Sequence, residues 1–173
     1  MSLSFFENMD KQQKIIIGVM ASLLAVALVT VAVLLLIPKE TVTTEFTPPA
    51  FDDNAVSGMP DDVPESLNYG SPTTQNEFGF LLCGTPAVTQ DNRLRCYFTS
   101  PASNHVWLLL KIYDGEGNLL GASGLLRPGE YVEYIALDQA IPKGSEIRIK
   151  VLSYEADTYY SKGTAQGILR IAE

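Results

Sequence analysis

Cysteine, histidine and tryptophan are nearly missing from this chain, with two Cys, one His and one Trp in 173 residues. A single histidine excludes a multi-histidine metal centre, and His105 together with both cysteines leaves a zinc site one protein ligand short. At the start of a strand-like run, His105 reads as a solvated surface residue. No G-x-S-x-G elbow is present to activate a serine. Phosphate-cradling loops of the G-x-x-x-x-G-K-S/T or strand-to-helix G-x-G-x-x-G type are missing as well. The expectation is a protein that is not an enzyme, with no cofactor and no metal. Basic residues are also scarce: 12 Lys and Arg stand against 20 Asp and Glu, a net charge of −8. Residues 78–173 carry nine basic and ten acidic groups, so no basic field invites nucleic acid.

What is abundant is apolar sequence at the front. Ile15 to Ile37, IIIGVMASLLAVALVTVAVLLLI, carries no charge, and a bilayer core of roughly 30 Å needs about 20 such residues in a helix. A core helix of a soluble domain would show a polar face, whereas here Ser22 and Thr30 are the only hydroxyls. Residues 15–37 therefore read as a transmembrane helix. Lys11 and Lys14 before it, against Lys39 after it, place the tail 1–14 in the cytoplasm and the remainder outside. Cleavage as a signal peptide is the alternative, but that signal has a shorter apolar region and a small-x-small site, and here the run ends Leu-Ile-Pro-Lys-Glu. Gly18 and Ser22, like Ala21 and Ala25, lie four apart and could admit a second helix. A homo-oligomer joined through the span stands beside a bare anchor facing the lipid bilayer.

Residues 38–77 change character, with six prolines and one Lys against eight Asp and Glu. Such composition cannot bury enough apolar surface to offset its ordering entropy, so the segment reads as a disordered acidic linker. Its Asp-Asp pairs lack the alternate spacing around a glycine that a calcium loop requires.

From residue 78 to 173 the apolar residues repeat every second position. Leu94, Cys96 and Phe98 alternate with Arg93, Arg95 and Tyr97, and Val106, Leu108, Leu110 and Ile112 alternate with His105, Trp107, Leu109, Lys111 and Tyr113. Further runs fall at 78–83, 119–126, 131–137, 147–151 and 169–171. Asp114-Gly115-Glu116-Gly117-Asn118, Arg127-Pro128-Gly129-Glu130 and Pro142-Lys143-Gly144 supply the turns between them. About seven short strands without a helical window indicate an all-β, antiparallel sandwich, with a small open barrel as the alternative. Cys83 and Cys96 are disulfide candidates on an oxidising side of a membrane; each can equally be a small buried apolar residue. Trp107, Tyr159 and Tyr160 are the candidate partner-binding residues, because large rigid aromatics are favoured at interfaces. They can also be ordinary cross-strand rings on the outer face of the sheet.

Cys96-Tyr97-Phe98, Asp114-Gly115, Ser123-Gly124-Leu125-Leu126-Arg127-Pro128-Gly129 and Val151-Leu152-Ser153-Tyr154-Glu155, taken in that order, resemble a family of small membrane-anchored secreted proteins of Firmicutes. Its members show a CYF strand, a DG hairpin and an SGLI-x-PG turn, and many are encoded on mobile or conjugative elements. Leu126 stands where the family has Ile, and Lys162-Gly163 where it has Asn-Gly. The resemblance implies an immunoglobulin-like sandwich on a bacterial cell membrane, with no assigned chemistry. The expected role is an extracytoplasmic binding or scaffold module, accessory to a conjugation apparatus and partnered by another envelope protein. The rival readings are a passive subunit that oligomerises through its span, and a carbohydrate-binding or hydrolytic surface domain.

Overall fold

The structure, a computed structural model, describes residues 10–36, 46–70, 73–75 and 78–173, without the side chains of 13, 14, 32–36 and 73–75. The tail before Asp10, residue 37 at the end of the expected span and the linker residues 38–45 lie outside the described residues, as does the side chain of Lys14. The chain divides into two compact units, Met1–Phe46 and Thr47–Glu173.

In the first unit, helix α1 runs Lys11–Leu36. Its described side chains from Ile15 to Val31 carry no charge and are exposed on every side of the helix, Ile15, Met20, Leu24, Leu28 and Val31 among them. The two hydroxyls bond within the helix: Ser22 Oγ donates to the Val19 carbonyl and Thr30 Oγ1 to that of Val26, both at 2.8 Å. That leaves no side-chain donor unpaired among the described residues from Ile15 to Val31, as an apolar environment requires. Among the described residues no helix is long and apolar enough to cross a membrane; the described side chains of α1 stop at Val31.

The second unit is built from β1 (Val56–Ser57), β2 (Thr73–Gln75), β3 (Phe78–Phe80), β4 (Ala87–Val88), β5 (Arg93–Ser100), β6 (Val106–Tyr113), β7 (Leu119–Ala122), β8 (Glu130–Ala136), β9 (Glu146–Glu155) and β10 (Ser161–Arg170). Two four-stranded antiparallel sheets form, in the orders β1-β8-β5-β4 and β10-β9-β6-β7, and β2 pairs with β3. Both sheets point their alternate residues into one core. Leu94, Cys96, Phe98, Val132 and Ile135 come from the first sheet, and Leu108, Leu110, Ile112, Ile147, Ile149 and Val151 from the second. Each such side chain withdrawn from water stabilises by roughly 1.5–3 kcal/mol. The turns form where the glycines allow: Gly129 (φ 78) and Gly144 (φ 72) occupy third positions, closed by Glu130 N to Arg127 O and Ser145 N to Pro142 O.

The acidic segment departs from the linker expectation, because the folded unit begins at Thr47 and not at Phe78. Leu125 N donates to Ala50 O (2.9 Å), Asp52 N to Leu125 O (3.0 Å) and Gly58 N to Gly129 O (2.7 Å). Leu67 is buried, and the Tyr69 hydroxyl meets Thr99 Oγ1 at 2.7 Å. The few apolar residues among the prolines and aspartates form no core of their own. They dock singly on sheets that already exist, a solution that average composition does not register.

Of the two readings open for the cysteines, the structure shows the second: Cys83 and Cys96 are free thiols, both buried. Their backbones are neighbours, with Cys83 N donating to Cys96 O at 2.9 Å. The side chains belong to different apolar groups, Cys96 to the core between the sheets and Cys83 to a smaller cluster with Leu67 and Tyr97. Burial pushes the Cys83 thiol up to about 12 and raises that of Cys96 as well. Iodoacetamide at neutral pH should therefore label neither residue in the folded protein and both after unfolding without reductant, as peptide mapping would read. A mapped Cys83–Cys96 bond would contradict the free-thiol arrangement.

Candidate functional site

Trp107 lies on β6 between the buried Val106 and Leu108, so strand alternation turns its ring to the outer side of the second sheet. Its cross-strand partner on β9 is Tyr154. Beyond β9 the chain reverses through Ala156–Tyr160, with Asp157 (φ 66) and Tyr159 (φ 57) in the left-handed region. Glu155 N to Tyr160 O (2.8 Å), Tyr159 N to Glu155 O (3.1 Å) and Thr158 Oγ1 to Glu155 Oε2 (2.8 Å) hold that turn. Lys162 adds an ion pair to Glu155 at 3.2 Å. The Thr158 hydroxyl first, and Lys162 second, hold the Glu155 carboxyl below its ordinary range.

The turn folds Tyr159 against Trp107, with ring centroids 5.1 Å apart at 64°. The indole also meets Phe51, at 4.8 Å and 77°. Arg127 closes the row, its guanidinium carbon 3.7 Å from the centre of the Phe51 ring. Glu130 steadies that arginine, accepting from its backbone N at 2.7 Å. The row Arg127–Phe51–Trp107–Tyr159 thus joins four separate stretches of chain, and Tyr160 projects beside it, 72 % exposed. The structure brings two of the three sequence candidates, Trp107 and Tyr159, into contact. Phe51 was missed because 38–77 read as linker, and Arg127 because it read only as a turn residue; an isolated aromatic just after two prolines was the available signal.

This geometry separates two adjacent tyrosines. Tyr160→Ala should leave thermal unfolding within error. Tyr159→Ala should cost about 1 kcal/mol, the usual worth of an edge-to-face pair. Denaturant titration of the two variants checks the difference, and equal losses would contradict it.

The first sheet carries a polar lattice on its own outer face. Arg95 Nε donates to Glu133 Oε1 (2.8 Å), Arg95 Nη2 to the Tyr97 hydroxyl (2.7 Å), and that hydroxyl to Glu133 Oε1 (2.8 Å). Burial alone would raise the Glu133 carboxyl, but the Tyr134 and Tyr97 hydroxyls and the Arg95 guanidinium outweigh it and hold it below 4.5. A depressed carboxylate stabilises the fold above its unfolded value, and that stability is lost as pH falls through the lower folded value. Glu133→Gln should therefore flatten the loss of stability as pH falls below the ordinary carboxylate range. An unchanged acid limb would contradict the assignment.

Among the described residues no three His, Cys, Asp or Glu side chains gather to hold a metal. His105 is exposed. A shallow cleft near Asp114, Glu116, Ile141 and Ile147 offers carboxylates, but Asp114 is committed to its turn, accepting from Glu116 N, Asn118 N and Asn118 Nδ2 at 2.8–2.9 Å. The arrangement best suited to molecular contact is thus the aromatic row. Set against protein-family models, curated proteins and solved structures, the chain matches none of them.

Proposed function

We propose that this chain is a membrane-anchored, extracytoplasmic binding or scaffold module of a bacterial envelope. In this reading α1 holds an immunoglobulin-like sandwich at the membrane surface, and the aromatic row with Tyr160 receives another envelope protein. The observation that carries the proposal is the first helix. Its described side chains from Ile15 to Val31 are apolar and face outward in all directions, and the sequence continues apolar to Ile37. A helix apolar all round is covered by lipid or by protein, never by water. The resemblance carried by Cys96-Tyr97-Phe98 and Ser123-Gly124-Leu125-Leu126-Arg127-Pro128-Gly129 supports an envelope location and an association with conjugative elements.

A protein partner suits the row better than a sugar does. Phe51 and Tyr159 close on Trp107 within 4.8 and 5.1 Å, so the indole is not the open platform on which a sugar ring stacks.

Fractionation tests the anchor. The full chain should stay in the membrane pellet through high salt and alkaline carbonate and leave it only in detergent. Leu23→Lys with Val26→Lys should shift it to the supernatant, since a charge at a span's centre costs about 3 kcal/mol on insertion scales. Recovery of the unaltered chain in the soluble fraction, with residues 15–37 intact, would overturn the proposal.

A further inference from the structure

Beyond the aromatic row, the outer face of the second sheet carries three cations side by side, with Glu146 two residues before Arg148 and facing Arg170 of β10 at the sheet's end. Lys111 on β6 and Lys150 on β9 are direct cross-strand partners, and Arg148 lies two residues from Lys150 on the same strand. Each alternates with buried Leu110, Ile112, Ile147, Ile149 and Val151, so all three point outward. The ion pairs among the described residues are Arg93–Asp91, Arg95–Glu133, Arg127–Glu130 and Lys162–Glu155, and none includes these three. Beside them, β10 contributes Gln166 opposite Lys150 and Ile168 opposite Arg148, neither of them an acid. Like charges directly opposite one another destabilise a sheet. A lysine pair in that register gains stability only when an anion from outside the sheet reaches it.

The opposite side of the same sandwich carries the complement. Asp61, Asp62 and Glu65 are exposed, and none is in an ion pair among the described residues. The segment bearing them is fixed in place. Val63, Leu67 and Tyr69 pack on Tyr97 and Tyr131, which face outward from the first sheet, and Leu67 N to Pro64 O with Asn68 N to Glu65 O closes a 3-10 turn over Glu65–Leu67. Three unpaired anions and three unpaired cations therefore lie on opposite faces of one rigid unit. They cannot meet within a molecule, because the core separates them, but they can meet between two molecules.

We propose that copies of this chain associate head to tail, the acidic turn 61–65 of one copy resting on Lys111, Arg148 and Lys150 of the next. Such a contact joins two different surfaces, so it repeats into a ring or a row and does not stop at a symmetric pair. It stands apart from the membrane reading and from the aromatic row, since neither Trp107 nor α1 takes part. Exposed charges are screened beyond about 8 Å at physiological salt, so the contact must be close and must weaken as salt rises.

The test is sedimentation velocity of the full chain in detergent, at about 50 mM and about 500 mM salt. Assembly at low salt, reduced at high salt, is expected. Lys111→Glu with Lys150→Glu, and separately Asp61→Lys with Asp62→Lys, should each weaken association at least tenfold, with Trp107 fluorescence unchanged to show that both variants are folded. An equimolar mixture of the two should regain assembly, because the turn of each variant then meets a face of opposite charge on the other. A single-copy wild type at low salt, assembly that ignores salt and both variants, or a mixture that stays apart would each overturn the proposal. The second of these outcomes would assign the association to α1 instead.

Discussion

Trp107→Ala is expected to lower the stability of the folded unit by about 3 kcal/mol, the low end of the range for truncating a large buried aromatic. The low end applies because the indole is half-buried on an outer face and does not lie in the core. Its loss removes the shared neighbour of Phe51 and Tyr159, so segments that come from distant parts of the sequence lose their common support. The chain has one tryptophan, and the emission of the wild-type protein therefore reports on this row alone. Urea unfolding followed by circular dichroism measures the change. A loss under about 1 kcal/mol would mean that the rings merely lie near one another. On the proposed reading the same variant would also lose binding, so the proposed partner contact is better tested with Tyr160→Ala, which leaves the row standing.

Gly124→Ala should be as damaging, for a backbone reason. A Cβ at that position would lie 2.5 Å from both the N and Cα of Asp52, and main chain cannot swing aside as the tip of a side chain can. Gly124 N also donates to Asp52 Oδ2 at 2.8 Å, and the neighbouring Phe51 and Leu125 form a parallel bridge. Forcing the two strands apart breaks these bonds together and draws Phe51 away from Trp107. The cost should be about 3 kcal/mol, the upper end for overpacking. A red-shifted tryptophan emission and faster proteolysis between residues 47 and 58 should accompany it. Wild-type emission with wild-type stability would contradict the tight docking of the 50–52 segment. Both substitutions strike the same seam, so their effects should fall short of additive when combined.

The sandwich was legible because its strands carry the period-2 signal strongly. Leu94-Cys96-Phe98 and Val106-Leu108-Leu110-Ile112 face the core as their alternation implies, and the turns at Arg127–Glu130 and Pro142–Ser145 close where Pro and Gly stand. Residues 47–70 were not legible. Phe51, Val63, Leu67 and Tyr69 are spaced too irregularly to show a period, and each finds its partner more than a dozen residues away. The state of the two cysteines stayed open in the sequence for a related reason: sequence separation says how long a loop would be, but not which apolar cluster each thiol joins. Of the candidate site, the tyrosines and the tryptophan could be named from residue type alone. Their arrangement depended on Phe51 and Arg127, and so on the docking of the segment that composition had set aside as linker.

The most direct test of the central claim is protease treatment of intact cells that display the full chain. The account predicts that added protease releases the sandwich, residues 47–173, as a resistant fragment, while Lys11 and the residues before it stay protected with the membrane. A chain untouched until the cells are lysed would contradict it, as would one recovered whole in the soluble fraction.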